Sequence, residues 1–314
     1  MSRIPVWFDT DIGVDDAAAL LVLSRMQPTE VVGISAVGGN VPMERAYDNA
    51  RRVAALAGLT CPVYRGAARP LYRELMTALH VHGENGLGGA ELPPSPAPET
   101  GEAAWDALYR AAVAAGGALE VVAVGPLTNL AIAFGKYPDL KDRVRRILLM
   151  GGAAKGGNVT PAAEFNIYVD PHAAQMVFKS GVPIVMCGLD VTEKAYLTAA
   201  EVAEIGAQDT PVCRFFRDCT ADLLNYHLQR GEGGILLHDV CPVTYLTHPE
   251  LFRGEEAGVY VETRGTITTG KTVTDLWSDK QFPVKNAVVV LDVDRPAWAA
   301  YVRDALVNGY PRCT

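Results

Sequence analysis

Val6-Trp7-Phe8-Asp9-Thr10-Asp11-Ile12-Gly13-Val14-Asp15-Asp16-Ala17-Ala18-Ala19-Leu20 reads as a short apolar strand, an acidic turn and the start of an alanine-rich helix. A brief apolar run bounded by a turn suits a strand buried on both faces, and Ala and Leu lead the helix-forming residues. The helix is expected from Asp15 to Met26, and the same unit recurs further along. Val31 to Val37 reads as the next strand, followed by a helix from about Pro42 to Ala57. Leu119 to Val124, Ile147 to Met150 and Ile184 to Met186 are further apolar strands, each followed by Gly or a turn and then a helical pattern. Alternation of this kind predicts an α/β fold: a single domain over residues 1–314 with a doubly wound, mostly parallel sheet, helices on both faces and the functional site at the carboxyl ends of the strands. Two segments interrupt the pattern. Residues 66–101 are rich in Pro and Gly and carry His80 and His82; residues 205–237 are helical and end in Gly231-Glu232-Gly233-Gly234, a possible hinge for a helical lid.

Bulk properties narrow the function. Hydrophobic residues make up 49% and charged residues 20%, the profile of a packed globular chain and not of a disordered one. The net charge is −8, and the longest basic cluster, Arg143-Val144-Arg145-Arg146, runs into an apolar strand. That leaves no phosphate-tracking surface, so a nucleic-acid polymer is not an expected partner. Met1-Ser2-Arg3-Ile4-Pro5 carries no signal-peptide core, and no apolar run approaches the roughly 20 residues of a membrane helix. The six cysteines, at 61, 187, 213, 219, 241 and 313, form no Cys-x-x-Cys pair. Reduced thiols and a cytoplasmic setting are the expectation.

The acidic turn carries the chemistry. Asp15 and Asp16 lie near a helix N-terminus, where a lone acid is usually a cap matched to the helix dipole. Four acids at one strand end are different, because their mutual repulsion asks for a cation. Hard oxygen ligands with no accompanying His or Cys cluster point to Mg²⁺ or Ca²⁺ and away from zinc. By itself the turn also fits a metal-dependent phosphatase of the haloacid-dehalogenase type, in which an Asp-x-Asp after a strand supplies nucleophile and acid.

The downstream motifs separate these readings. They are Gly38-Gly39-Asn40, Val124-Gly125-Pro126-Leu127-Thr128-Asn129, Met150-Gly151-Gly152, Gly157-Asn158, Glu164-Phe165-Asn166-Ile167 and His238-Asp239. In this order, after the acidic turn, they resemble the nucleoside hydrolase family over nearly the whole chain. A phosphatase would also want a downstream Lys with a further Asp pair, and no convincing candidate is found. A non-catalytic nucleoside binder is the third reading; it would need neither a water-activating Asp11 nor His238.

The resemblance implies a Rossmann-like fold, calcium-dependent hydrolysis of the N-glycosidic bond of ribonucleosides, and a homodimer or homotetramer. It implies Asp11, Asp16, Asp239 and the carbonyl of Val124 as Ca²⁺ ligands, a set whose oxygens, completed by water and two ribose hydroxyls, suit calcium better than octahedral magnesium. Asp11 would take the proton of the attacking water, with Asp9 steadying the ligands from behind. Asp15, Asn158, Glu164 and Asn166, with Phe165 and Asp239 beside them, would hold the ribose, and Asn40 would lie near the water. His238, next to a ligand, would protonate the departing base, and His82 would line the base pocket. Purine-specific relatives carry tryptophans at the His82 and His238 positions, whereas the four Trp here are 7, 105, 277 and 298. The expected substrate is therefore a pyrimidine ribonucleoside, or inosine and uridine broadly. Tyr226, His227 and Arg230 read equally well as lid residues or as a solvated helix face, and His172, His248 and the cysteines as structural. One departure stands out: Ile12 occupies a turn position that is usually Pro.

Overall fold

The computed structural model describes residues 3–277, 279 and 281–309, so Cys313 lies outside the described residues. Strands β1 (Ile4–Thr10), β2 (Thr29–Ala36), β3 (Val63–Arg65), β4 (Leu119–Ala123), β5 (Val144–Met150) and β6 (Ile184–Cys187) alternate with helices α1 (Val14–Leu23), α2 (Met43–Leu56), α3 (Leu79–His82), α4 (Ala104–Ala114), α5 (Thr128–Lys136), α6 (Phe165–Val169) and α7 (Pro171–Phe178). Beyond β6 come α8 (Leu189–Thr192), β7 (Tyr196–Leu197), α9 (Ala199–Gly206), α10 (Pro211–Gln229), β8 (Ile235–Leu236), α11 (Val240–Thr247), β9 (Phe252–Ala257), β10 (Val259–Val261), β11 (Thr272–Thr274), β12 (Ala287–Val293) and α12 (Arg295–Val307). The main sheet has eight strands in the order β3-β2-β1-β4-β5-β6-β12-β9. All its pairings are parallel except β12 with β9. The doubly wound α/β architecture read from the alternating pattern is the one observed.

The reason lies in side-chain alternation. Val122, Val124, Leu148 and Met150 enter one core with residues of α1, α2 and α9 to α12, while Val121, Ala123, Ile147 and Leu149 enter a second core with residues of α4, α5 and α7. The stretch of a strand that feeds two cores is apolar at successive positions, hence the continuous runs, while Glu120 and Arg146 at the strand starts pair with each other. The same alternation divides the acids of β1. Asp9 follows Trp7 onto the second face, and its carboxylate accepts from the Ser35 hydroxyl and from Asn129 Nδ2 at 2.8 Å. Trp7 Nε1 donates to Ser35 Oγ at 2.8 Å, completing a buried relay.

Helix α1 stops at Leu23, short of Met26, because Arg25 and Met26 donate to Val22 and Leu23 in a tightened last turn. Arg143 and Arg146 are engaged in ion pairs with Asp139 and Glu120, both at 2.7 Å, so the basic cluster is internally compensated. No described helix is long and apolar enough to cross a membrane. The order in which strands are added to the sheet reverses between the parallel neighbours β1 and β4, and a crevice at that point, outside the carboxyl ends, is where such sheets bind ligands.

Candidate active site

A cavity of about 510 Å³ opens there, lined by Asp15, Asn40 and His82 from the β1 and β2 side, and by Val124, Met150, Asn158, Glu164, Phe165 and Asn166 from the β4 and β5 side. His238 and Asp239 close it from the start of α11. Carboxylate oxygens of Asp15, Asp16 and Asp239 lie within 4.8 Å of one another, all three residues buried. Asp11 adjoins them: burial first, then the charge of Asp16, holds its carboxyl well above the usual carboxylate range. Burial and the charges of Asp15, Asp16 and Asp11 do the same to Asp239, and burial with Asp16 pushes Asp15 up to about 7. Asp11 Oδ1 and Asp15 Oδ1 are buried without a hydrogen-bond partner.

Backbone close approaches set this arrangement. Asp11 Oδ2 accepts from the Asn40 amide at 2.6 Å. A Cβ at Gly39 would fall 2.0 Å from that oxygen, which explains the glycine in Gly38-Gly39-Asn40. Asn40 Nδ2 also donates to Asp16 Oδ2 at 3.1 Å, so one residue bridges two acids. Asp16 caps α1 as well, accepting from the Gly13 amide at 2.8 Å and from the Thr10 hydroxyl. The capping and ligand-cluster readings thus coexist in a single side chain. Ile12 has φ 21°, the only non-glycine residue among the described ones in the positive range. Proline, fixed near −65°, could not take this turn, and a β-branched residue holds it at a cost of about 1–3 kcal/mol.

The ribose-holding candidates come together, but several already have partners. Glu164 caps α6: Oε1 accepts from the Asn166 amide at 2.9 Å, and Oε2 accepts from Gly152 at 2.8 Å and Ile167 at 3.2 Å. Its carboxyl, pushed up to about 7 by burial, ties the Gly151-Gly152 turn to α6. Asn166 Nδ2 donates to the carbonyls of Val124 at 2.9 Å and Met150 at 3.2 Å, leaving Oδ1 as the acceptor it can offer. Asn158 Oδ1 accepts from the Phe165 amide at 2.9 Å. Asp9, expected behind the ligands, acts through the backbone: its carbonyl accepts from the Val124 amide at 2.8 Å.

Four histidines line the cavity, His80 exposed and His82, His227 and His238 more deeply set. His82 Nδ1 accepts from the Val14 amide at 3.1 Å and stands 3.9 Å from Asp15 Oδ1. Burial lowers His82 to about 4, so the ring is neutral, with its proton on Nε2. A Cβ at Gly13 would fall 2.6 Å from His82 Nδ1, so the glycine lets this ring reach the helix end. His238 Nδ1 bonds Thr192 Oγ1 at 2.7 Å, and burial, then His227 and His82, lowers it to about 3. His227 was left undecided by its sequence, but it is buried, lines the cavity and accepts the Leu236 amide proton on Nδ1 at 3.1 Å. Leu223, Tyr226, His227 and Arg230 all reach the cavity from α10 and its end. Their spacing of three, four and seven was the available signal. Glu193, Glu232 and Leu236 also line it; Glu232 belongs to the Gly-rich run read as a lid hinge, and nothing in the sequence context marked Glu193 or Leu236 as site residues. His172 and His248 lie outside the cavity lining.

This donor set fits a divalent cation: buried carboxylates, two of their oxygens without partners, a strand-end carbonyl, and no thiol or imidazole within the acidic group. The Val124 carbonyl already accepts from Asn166 but retains a second lone pair.

Residues 6–300 match the family described as inosine-uridine preferring nucleoside hydrolase. The chain is 40% identical over 310 residues to the pyrimidine-specific ribonucleoside hydrolase RihA of Salmonella typhimurium, covering 96% of this chain and 98% of that protein. It is 39% identical over 316 residues to the RihA of Photobacterium profundum, covering 98% and 100%. Among solved structures, the plant nucleoside hydrolase PpNRh1 superposes with a TM-score of 0.91 at 31% identity, over 97% of this chain and 99% of that one. A purine-preferring ribonucleoside hydrolase from Gardnerella vaginalis gives 0.91 at 33%, over 97% and 98%.

Proposed function

The chain belongs to the inosine-uridine preferring nucleoside hydrolase family and is a ribonucleoside N-glycosidase; on that premise we propose that it cleaves pyrimidine ribonucleosides with the help of Ca²⁺. The observation that carries this reading is the buried carboxylate cluster of Asp15, Asp16 and Asp239, of which Asp15 and Asp239 line a cavity shared with His80, His82, His227 and His238. A non-catalytic binder would have no use for the unpartnered Asp11 Oδ1.

Asp11, Asp16, Asp239 and the Val124 carbonyl would hold the cation, and Asp15, whose oxygens join the cluster, stands within reach of both cation and sugar. A bound divalent cation would offset the clustered negative charge, lower the pKa of a bound water and orient ribose hydroxyls. Asp11 Oδ1 takes the proton of the attacking water, while Asn40 fixes the other oxygen of that carboxylate. Asp15 and Asn166 Oδ1 accept from the ribose hydroxyls, and Asn158, Glu164 and Phe165 shape the wall behind them. As the glycosidic bond lengthens, positive charge grows on the sugar, and surrounding carboxylates stabilise it. The hydrogen bond between His238 Nδ1 and the Thr192 hydroxyl fixes the ring; His238 would offer a hydrogen bond to the departing base from Nε2 and would complete proton transfer only from its imidazolium form.

Pyrimidine preference is supported by the two RihA relatives and by the histidines at 82 and 238, which offer N–H groups where a purine stack would need wide aromatic faces. A cytoplasmic setting and a homo-oligomer complete the reading; the buried, unpaired thiols of Cys187, Cys213, Cys219 and Cys241 suit a reducing compartment.

The test compares uridine with p-nitrophenyl riboside, whose leaving group needs no proton. Wild-type enzyme is expected to release uracil and p-nitrophenol. His238→Ala is expected to lower kcat on uridine about 10²- to 10⁴-fold while changing the p-nitrophenyl riboside rate little. Equal losses on both substrates would make His238 a support for the metal site, and a wild-type enzyme inert on uridine and cytidine would reject the pyrimidine reading.

A further inference from the structure

Glu232 sits in the Gly231-Glu232-Gly233-Gly234 run between α10 and β8 and lines the same cavity as His227 and Arg230. Its amide donates to the His227 carbonyl at 3.2 Å, which fixes the residue to the end of α10. Oε1 forms an ion pair with Arg230 Nε at 3.6 Å, too long for a hydrogen bond, on a side chain still about 29% exposed, and the Arg230 guanidinium lies 5.3 Å from the Tyr226 ring centre. Oε2 is buried with no hydrogen-bond partner at all. Glu193 belongs to the same wall, close enough that the Glu232 charge, after burial, helps raise its carboxyl. A carboxylate oxygen removed from water and left unpaired is destabilising, and a ligand that brings an N–H relieves it.

The catalytic steps above leave Glu232 unused. Resting on the pyrimidine reading, we infer that Glu232 accepts a hydrogen bond from the exocyclic amino group of the bound nucleobase, so that the enzyme selects cytidine over uridine. Cytosine and uracil have the same outline and the same carbonyl next to the sugar. They differ on the far edge, where cytosine presents an amino donor and a ring-nitrogen acceptor and uracil presents a carbonyl acceptor and a ring N–H. A carbonyl oxygen set against the carboxylates of Glu232 and Glu193 is repelled, whereas an amino group is paired. His227 supports the same assignment, because its Nδ1 accepts from Leu236 and its remaining N–H matches the acceptor nitrogen of cytosine.

The experiment measures kcat/KM for cytidine, uridine and p-nitrophenyl riboside on the calcium-supplemented wild type, E232Q and E232A. A hydrogen bond to a charged group that discriminates between bases is worth about tenfold or more. Wild type is expected to favour cytidine over uridine by at least that factor. E232A is expected to bring the ratio to about one, with cytidine losing far more than p-nitrophenyl riboside, whose aglycone has no such edge. E232Q, which keeps a neutral acceptor, falls between. Equal wild-type rates on the two nucleosides would overturn the inference. So would an unchanged ratio in E232A, or a uniform loss on all three substrates, which would give Glu232 a purely structural role. Wild-type cleavage confined to purine nucleosides would overturn the pyrimidine reading beneath it, a result distinct from all of these.

Discussion

Asp11→Asn is expected to lower kcat on uridine by about 10³- to 10⁴-fold at saturating calcium, the scale of removing a positioned general base. The substitution is nearly isosteric, so the Asn40 amide can still donate to the side-chain oxygen that it meets at 2.6 Å in the native site. The change falls on Oδ1, which is buried and has no partner in the protein, and an amide there cannot take a proton from water. Removing one charge from a crowded acidic group also relieves repulsion, so thermal stability without added metal should hold or rise. Kinetics at several calcium concentrations, with a melting curve, check both halves. Retention of more than about a tenth of the activity would assign proton abstraction to another group.

The second large effect concerns the sugar. Uridine is expected to exceed 2′-deoxyuridine in kcat/KM by about 10⁴-fold, as for sites built to pair a hydroxyl. Asp15 Oδ1 is buried and unpartnered, and Asn166 can offer only Oδ1 because its amide nitrogen is engaged by Val124 and Met150. A deoxy sugar would leave such acceptors closed off from water without a donor. Rates within about tenfold of each other would mean that these residues shape the pocket and do not read the hydroxyl.

Much of this was legible in the chain. Continuous apolar strands alternating with Ala-rich helices define a parallel sheet, and the acidic turn after the first strand lies at its switch point. Period-two alternation along β1 was also there to be read, and it puts Asp9 with Trp7 on the far face, apart from the acids that cluster. Less legible was which side chains are already satisfied. Glu164 has the sequence context of a sugar ligand, yet its oxygens cap α6, a fact that depends on where a five-residue helix begins. His82 was expected in the base pocket and lines the cavity, but its Nδ1 is tied to the first turn of α1. Glu232 lies in a Gly-rich run with no periodicity, so only the folded chain brings it to the cavity wall.

Calcium removal and return tests the central claim most directly. The protein is stripped with excess chelator, its fold is checked by circular dichroism, and release of free base from uridine and cytidine is followed while Ca²⁺ is titrated back. The account predicts a folded, inactive stripped protein, because the carboxylates of Asp11, Asp15, Asp16 and Asp239 are then uncompensated and no water is activated, with full recovery as calcium saturates. Full base release from exhaustively stripped protein would contradict it.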